Sequence, residues 1–138
     1  MNANDRNYRV DSVHLLGAAV SPASISLTHG FGNAIRDEVN EFHNKYSIQD
    51  DALEGAYYRT EGHRALGQVG FQSLASGLQD IYHQQEVSRE LPPDIDGDGI
   101  NEKDNFGDDH MGYGGVVNQN TGEVINNGVM DLLINEWR

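Results

Sequence analysis

A regular spacing of apolar residues between Leu27 and Tyr46 leaves few folds open to this chain. The apolar positions follow one another at intervals of three or four residues, which is the period of one face of an α-helix. They are Leu27, Phe31, Ile35, Val39, Phe42 and Tyr46. The spacing therefore predicts a helix whose clearest part covers residues 33–46.

A second helical segment is predicted downstream of that helix. Ser47 or Asp50 supplies its N-cap, because short polar side chains accept hydrogen bonds from the free N–H groups of a first turn. Apolar residues continue with helical spacing from Phe71 to Ile81, and Pro92-Pro93 ends the region. These patterns predict a mainly α fold with a helical core at about residues 26–90.

The C-terminal part of the chain predicts a β-hairpin followed by a helix. Val116 and Val117 face Val124 and Ile125 across a turn that contains glycine. The apolar side of the helix would consist of Val129, Met130, Leu133, Ile134 and Trp137. A chain of 138 residues buries enough surface for one domain. We therefore predict a single domain over residues 1–138, with the hairpin and the C-terminal helix in residues 114–138.

The composition excludes several classes of partner. The chain has 9 Lys and Arg against 22 Asp and Glu, a net charge of -13. A nucleic-acid partner needs clustered cations and an anionic membrane surface would repel this charge, so neither is expected.

No apolar run is long enough to form a transmembrane segment, and residues 1–10 lack the features of a signal peptide. Without cysteine, disulfides and Cys-ligated zinc are excluded as well.

Residues 94–105, with the sequence DIDGDGINEKDN, have the spacing of a calcium-binding loop. Calcium prefers several oxygen ligands, which alternating carboxylates and a backbone carbonyl can supply, and Gly99 lets the chain turn around the ion. The predicted ligands are Asp94, Asp96, Asp98, Ile100 through its carbonyl, Glu102 and Asn105. The alternative is an acidic loop that is solvated and binds no metal.

This spacing resembles the calcium loops of EF-hands and, more closely, those of dockerin modules and thrombospondin type 3 repeats. It lacks the closing glutamate of an EF-hand, because Asn105 stands at that position. The resemblance implies Ca2+ as a structural ion rather than as a signal. Weak affinity suits calcium-rich surroundings, so we expect an exported protein, secreted or periplasmic, without a visible signal peptide.

Two groups of residues have the chemistry of a catalytic site. Asp109 and His110 lie on a glycine-flanked turn, where a carboxylate can orient an imidazole that acts as a general base. The alternative is that Asp108 or Asp109 completes the calcium shell while His110 caps the turn. Glu61 or His63 would supply an acid from a facing helix. Their alternative is a charged helix face in solvent.

The segment DALEGAYYRTEGHRALG, together with the acidic segment that follows later, is similar to helical domains at the ends of secreted bacterial polymorphic toxins. That resemblance implies an exported effector with a cognate immunity or inhibitor protein. The leading hypothesis is a calcium-binding hydrolase that acts on cell-envelope material, either phospholipid or peptidoglycan. The competing hypothesis is a calcium-stabilised binding or structural module without enzymatic activity.

Overall fold

The computed structural model of the protein describes residues 9–71, 74, 78–91, 110, 112–118 and 120–137. The structure is mixed α/β, with 38% of its residues helical and 24% in strands. The prediction of a mainly α fold is therefore wrong. The predicted calcium loop, residues 94–105, lies outside the described residues.

A three-stranded parallel sheet lies at the centre of the described chain. Its strands are β1 (Val10–Leu16), β2 (Val39–Tyr46) and β3 (Tyr82–Glu86), and β2 lies between the other two. Parallel neighbours need a long connection, so one helical crossover precedes β2 and another precedes β3. All three strands therefore end at the same edge of the sheet.

Short helices make up the two crossovers. A 3-10 helix, Pro22–Ile25, and helix α1, Gly30–Glu38, connect β1 to β2. In the second crossover a π-helical turn, Leu53–Tyr57, continues directly into α2, Tyr58–Glu61. Helix α3, Leu66–Val69, follows before the chain reaches β3.

The helix predicted for residues 33–46 ends at Glu38, and the chain continues as strand β2. A strand at the centre of a parallel sheet is covered on both faces, so it lacks the polar alternation of an exposed strand. Four consecutive residues of β2 are buried, and they are Phe42, His43, Asn44 and Lys45. The intervals between Val39, Phe42 and Tyr46 match a helical period only by coincidence. Residues 82–86 are also a strand, so the predicted helical core at residues 26–90 is wrong.

Apolar clusters pack on both faces of the sheet. Leu15 and Leu16 belong to different clusters, because neighbouring side chains of a strand point to opposite faces. The buried residues of the first cluster are Ile25, Ile35, Val39, Phe42, Leu66, Leu78 and Tyr82. Those of the second cluster are Val87, Leu91, Tyr113, Val129 and Leu133. Each face of the sheet thus contributes to a core.

The predicted hairpin and C-terminal helix are confirmed. Strand β4 (Val116–Val117) pairs antiparallel with β5 (Val124–Asn126), and helix α4 covers Met130–Glu136. Leu133 is buried, whereas Trp137 is 61% exposed, so only part of the predicted apolar side packs against the protein.

Candidate functional site

His110 hydrogen-bonds to Asp50, which lies 60 positions earlier in the chain. The distance from Nδ1 of His110 to Oδ2 of Asp50 is 2.8 Å. An ionised carboxylate only accepts hydrogen bonds, so Nδ1 of His110 donates and Nε2 keeps its lone pair. The Asp50 side chain is fully buried and that of His110 is 35% exposed. The pair therefore joins a buried carboxylate to an imidazole that reaches solvent.

A second hydrogen bond, from a residue close in the sequence, holds the Asp50 carboxylate in place. Asp50 follows the end of β2 and is one of the two predicted N-caps. Its Oδ1 accepts a hydrogen bond from the Leu53 N–H at 3.0 Å, which confirms the cap. With one oxygen bound to Leu53 and the other to His110, the carboxylate cannot rotate without losing a hydrogen bond.

Gly17 lets the His110 ring approach the end of β1. Gly17 follows β1 directly and has a φ of 54°. A Cβ atom at this position would lie 3.1 Å from the His110 ring and 2.9 Å from the Tyr113 ring. Glycine leaves space for both rings. His110 therefore lies at the edge where β1 and β2 end, which is the edge where open parallel sheets usually bind ligands.

Gly67 hydrogen-bonds to the segments that follow β1 and β2. Its N–H donates to the Ala18 carbonyl at 2.9 Å, and its carbonyl accepts from the Ser47 N–H at 2.9 Å. A Cβ atom on Gly67 would overlap the backbone of Gly17 and Ala18. The tight packing of α3 thus fixes the positions of the segments on which Asp50 and Gly17 lie.

The environment of Asp50 sets the electrostatics of the pair. Burial raises the pKa of the Asp50 carboxyl, while the hydrogen bonds from His110 and the Leu53 N–H act in the opposite direction. A negative charge on Asp50 would stabilise an imidazolium on His110. The arrangement can therefore accept a proton at Nε2 of His110 and release it again, as a general base and acid do.

Among the described members of the two predicted catalytic groups, no contact joins Glu61 or His63 to His110. Glu61 is exposed at the end of α2, and the His63 ring packs edge-on against Tyr57 at a centroid distance of 5.5 Å. Within the described chain, neither residue hydrogen-bonds to His110. Among the described residues, Asp50 is the carboxylate that contacts His110, whereas Asp109, the predicted partner, lies outside them. The six predicted calcium ligands in residues 94–105 lie outside them as well.

A pocket of about 540 Å³ opens between the 3-10 helix and α3. Its apolar lining comes from Pro22, Ala23, Val69 and Phe71, and His63 lies at its wall. The pocket offers an apolar group a place beside the crossover that follows β1.

Three histidines form a second group that the sequence patterns did not reveal. His14, His43 and His83 are register partners on β1, β2 and β3. The rings of His14 and His43 stack at 4.4 Å, and those of His43 and His83 at 4.8 Å. Glu136, the last residue of α4, contacts the first two. Their spacing along the chain forms no motif, so only the strand register brings them together.

None of the helices in the described ranges is long and apolar enough to span a bilayer. No protein-family model, curated protein or solved structure matches this chain.

Proposed function

We propose that this protein is a hydrolase that uses His110 as a general base oriented by Asp50. The observation that carries the proposal is the 2.8 Å hydrogen bond between Nδ1 of His110 and the fully buried carboxylate. Hydrolases on unrelated folds share such a pair. In them the carboxylate fixes the tautomer of the imidazole and stabilises the imidazolium that forms when Nε2 takes a proton.

The placement of the pair also supports a hydrolase. Asp50 follows β2, and His110 packs against Gly17 at the end of β1. Ligands of open α/β sheets usually bind at this edge. The acid precedes the histidine in the chain, as it does in the triads of α/β-hydrolases. This is an analogy of arrangement, which supports the reaction class and leaves the substrate open.

The nucleophile in this proposal is a water molecule or a hydroxyl side chain. Within the described ranges, no serine or threonine hydroxyl hydrogen-bonds to His110. In the water mechanism, Nε2 of His110 takes a proton from water as the water oxygen bonds to the substrate carbonyl, and the leaving group then receives that proton. In the hydroxyl mechanism, the same transfer produces a covalent acyl-enzyme that water cleaves in a second step.

Cell-envelope material, either phospholipid or peptidoglycan, remains the proposed substrate. The 540 Å³ pocket does not rank the two, because its lining is both apolar and polar and includes neither Asp50 nor His110. In this proposal the protein is an exported bacterial effector, secreted or periplasmic, that meets a cognate immunity or inhibitor protein.

The test is a substrate panel with the full-length protein. We would compare p-nitrophenyl esters of short and long acyl chains, phosphatidylcholine vesicles, which carry no net charge, and purified peptidoglycan, and label in parallel with a fluorophosphonate probe. Ester hydrolysis with covalent labelling indicates a hydroxyl nucleophile, and hydrolysis without labelling indicates water. The absence of hydrolysis across the whole panel would contradict the proposal.

A calcium-stabilised binding or structural module is the second candidate, and the spacing of residues 94–105 favours it. Bound Ca2+ would then stabilise the folded state, by about 2.7 kcal/mol at a concentration 100 times Kd. We expect a higher Tm in millimolar calcium than in EDTA. The double variant Asp96→Asn, Asp98→Asn should remove this shift, whereas Asp80→Asn on the exposed surface should keep it. An equal Tm in calcium and EDTA would exclude a structural calcium ion.

A further inference from the structure

Three side chains with metal-binding atoms converge beside the sheet. Oε2 of Glu136 lies 3.3 Å from Nδ1 of His14 and 3.5 Å from Nδ1 of His43. One ligand atom from each residue lies within 4.8 Å of the other two. The side chains of His14 and His43 are only 9% and 10% exposed, so β1 and β2 hold both rings in place.

Two of these atoms are buried without a hydrogen-bond partner. Among the described residues, Nδ1 of His14 and Oε2 of Glu136 have no hydrogen bond of good geometry, and their contact with each other is an ion pair at 3.3 Å. The atoms on the outer side of the group have partners: Lys45 binds Oε1 of Glu136, and Glu41 contacts Nε2 of His43 at 3.2 Å. The unpaired atoms are therefore the ones that face the centre of the group. Buried polar atoms in proteins are rarely left this way.

The separations fit ligands of one ion. Zn2+ binds nitrogen and carboxylate oxygen at about 2.0–2.1 Å in a tetrahedron, so adjacent ligand atoms lie about 3.4 Å apart. The two distances from Oε2 of Glu136, 3.3 and 3.5 Å, lie on either side of that value, while the ligand nitrogens of His14 and His43 lie within 4.8 Å of each other and would have to approach on binding. We propose that His14, His43 and Glu136 bind a divalent transition-metal ion, with Zn2+ as the best match. Two imidazoles and a single carboxylate suit Zn2+ and not Ca2+, which prefers oxygen ligands.

The groups around the histidines favour metal binding. Glu41 can accept the Nε2–H of His43, which leaves the Nδ1 lone pair of that ring directed at the centre.

Trp137 must move when the ion binds. Its Nε1–H donates to Nε2 of His14 at 2.9 Å, so the neutral ring carries its proton on Nδ1. A metal on Nδ1 displaces that proton to Nε2, which then opposes the Trp137 N–H. The rings of His14 and His43 are also nearly parallel, at 5°, so one must rotate to direct its lone pair at a shared ion. Release of Trp137, which is 61% exposed, permits His14 to rotate.

A cleft of about 410 Å³ gives an ion a route from solvent to this site. Asp11, Glu41, Glu136 and Trp137 line it, and their carboxylates attract cations. Lys45 is the opposing charge, but its ammonium pairs with Oε1 of Glu136 and leaves Oε2 for the metal.

The test is a ZnCl2 titration of the full-length protein, in millimolar calcium so that the acidic loop does not compete for zinc. Calorimetry should show one Zn2+ per chain, and the emission of Trp137, the one tryptophan in the sequence, should change with the same midpoint. Loss of a residue that hydrogen-bonds to a metal ligand weakens metal binding by 10- to about 100-fold, so loss of a ligand itself should weaken it more. We therefore expect His14→Ala and Glu136→Gln to lower the zinc affinity by more than about 100-fold. Glutamine preserves the shape of the Glu136 side chain.

His83→Ala is the matched control, because the His83 ring stacks on that of His43 and no contact joins His83 to Glu136 in the described chain. The zinc affinity of this variant should stay within a factor of about three of the unmodified protein. That change is smaller than the one caused by loss of a residue that hydrogen-bonds to a metal ligand. Far-UV circular dichroism confirms that each variant is folded. The proposal is overturned by the absence of saturable zinc binding, or by undiminished binding in both His14→Ala and Glu136→Gln. It does not depend on hydrolysis, so it stands or fails separately from the role of His110.

Discussion

Replacement of His110 by glutamine is expected to lower kcat/KM for the best ester substrate by about 1,000-fold, since general acid–base catalysis contributes 10²- to 10⁴-fold. Glutamine preserves much of the size of the ring and a hydrogen-bonding group, but it cannot cycle a proton. The His110 side chain is 35% exposed, so its replacement leaves the buried core unchanged. Steady-state kinetics measures the loss, and the Tm should change by only a few degrees, as expected for about 1 kcal/mol or less.

His83→Gln is the control for this variant. His83 is an exposed histidine on the edge strand β3, and it lies outside the Asp50–His110 pair. Its kcat/KM should remain within a factor of about two of the unmodified protein, a difference of less than 0.5 kcal/mol. Equal losses in both variants would indicate a general structural effect. Full activity in a folded His110→Gln protein would remove His110 from the mechanism.

Asp50→Asn separates orientation from proton transfer. Asparagine can still accept the hydrogen bond from the Leu53 N–H, so the cap should persist. Its amide cannot stabilise an imidazolium, and its NH2 group would favour the wrong tautomer of His110. A fall in kcat larger than any change in KM would therefore support an orienting role.

Some elements could be predicted because their evidence is local. The hairpin between Val116 and Asn126 follows from two short apolar runs and a glycine turn, and the C-terminal helix from a few residues of periodicity. The parallel sheet has no such local evidence. Its partners are far apart in the chain, as in the pairing of Val13 with Phe42 and of Phe42 with Tyr82. A buried central strand shows a nearly continuous pattern of buried residues, which periodicity alone cannot distinguish from a helix.

The candidate site was predictable only where its evidence is local in the sequence. His110 can be found because glycines and acids surround it in the sequence, and the local pattern predicts Asp109 as its carboxylate partner. Asp109 lies outside the described residues, and the structure shows a contact with Asp50, whose cap role is predicted and whose contact with His110 is not. The proximity of His14 to His43 has no local signal either, because it exists only in the register of β1 and β2.

Phe42→Ala tests the strand that replaced the predicted helix. Phe42 is fully buried, and its ring lies 4.6 Å from that of Tyr82 on β3. Truncation should destabilise the protein by about 3–5 kcal/mol, because it removes apolar contacts and leaves a cavity between β2 and the helices. Urea unfolding followed by circular dichroism measures the change.

Phe31→Ala is the comparison that distinguishes a strand at Phe42 from the predicted helix. A helix through residues 33–46 would put Phe31 and Phe42 on the same buried face, so both truncations would have similar effects. In the structure Phe31 lies in the first turn of α1 and is 39% exposed, and its ring is 6.2 Å from Phe42. We therefore expect a loss of about 1–2 kcal/mol for Phe31→Ala, because partial burial removes less apolar area from water. Equal losses would favour the helix over the parallel strand. Because Asp50 follows β2, that outcome would also remove the support for the placement of Asp50 beside His110.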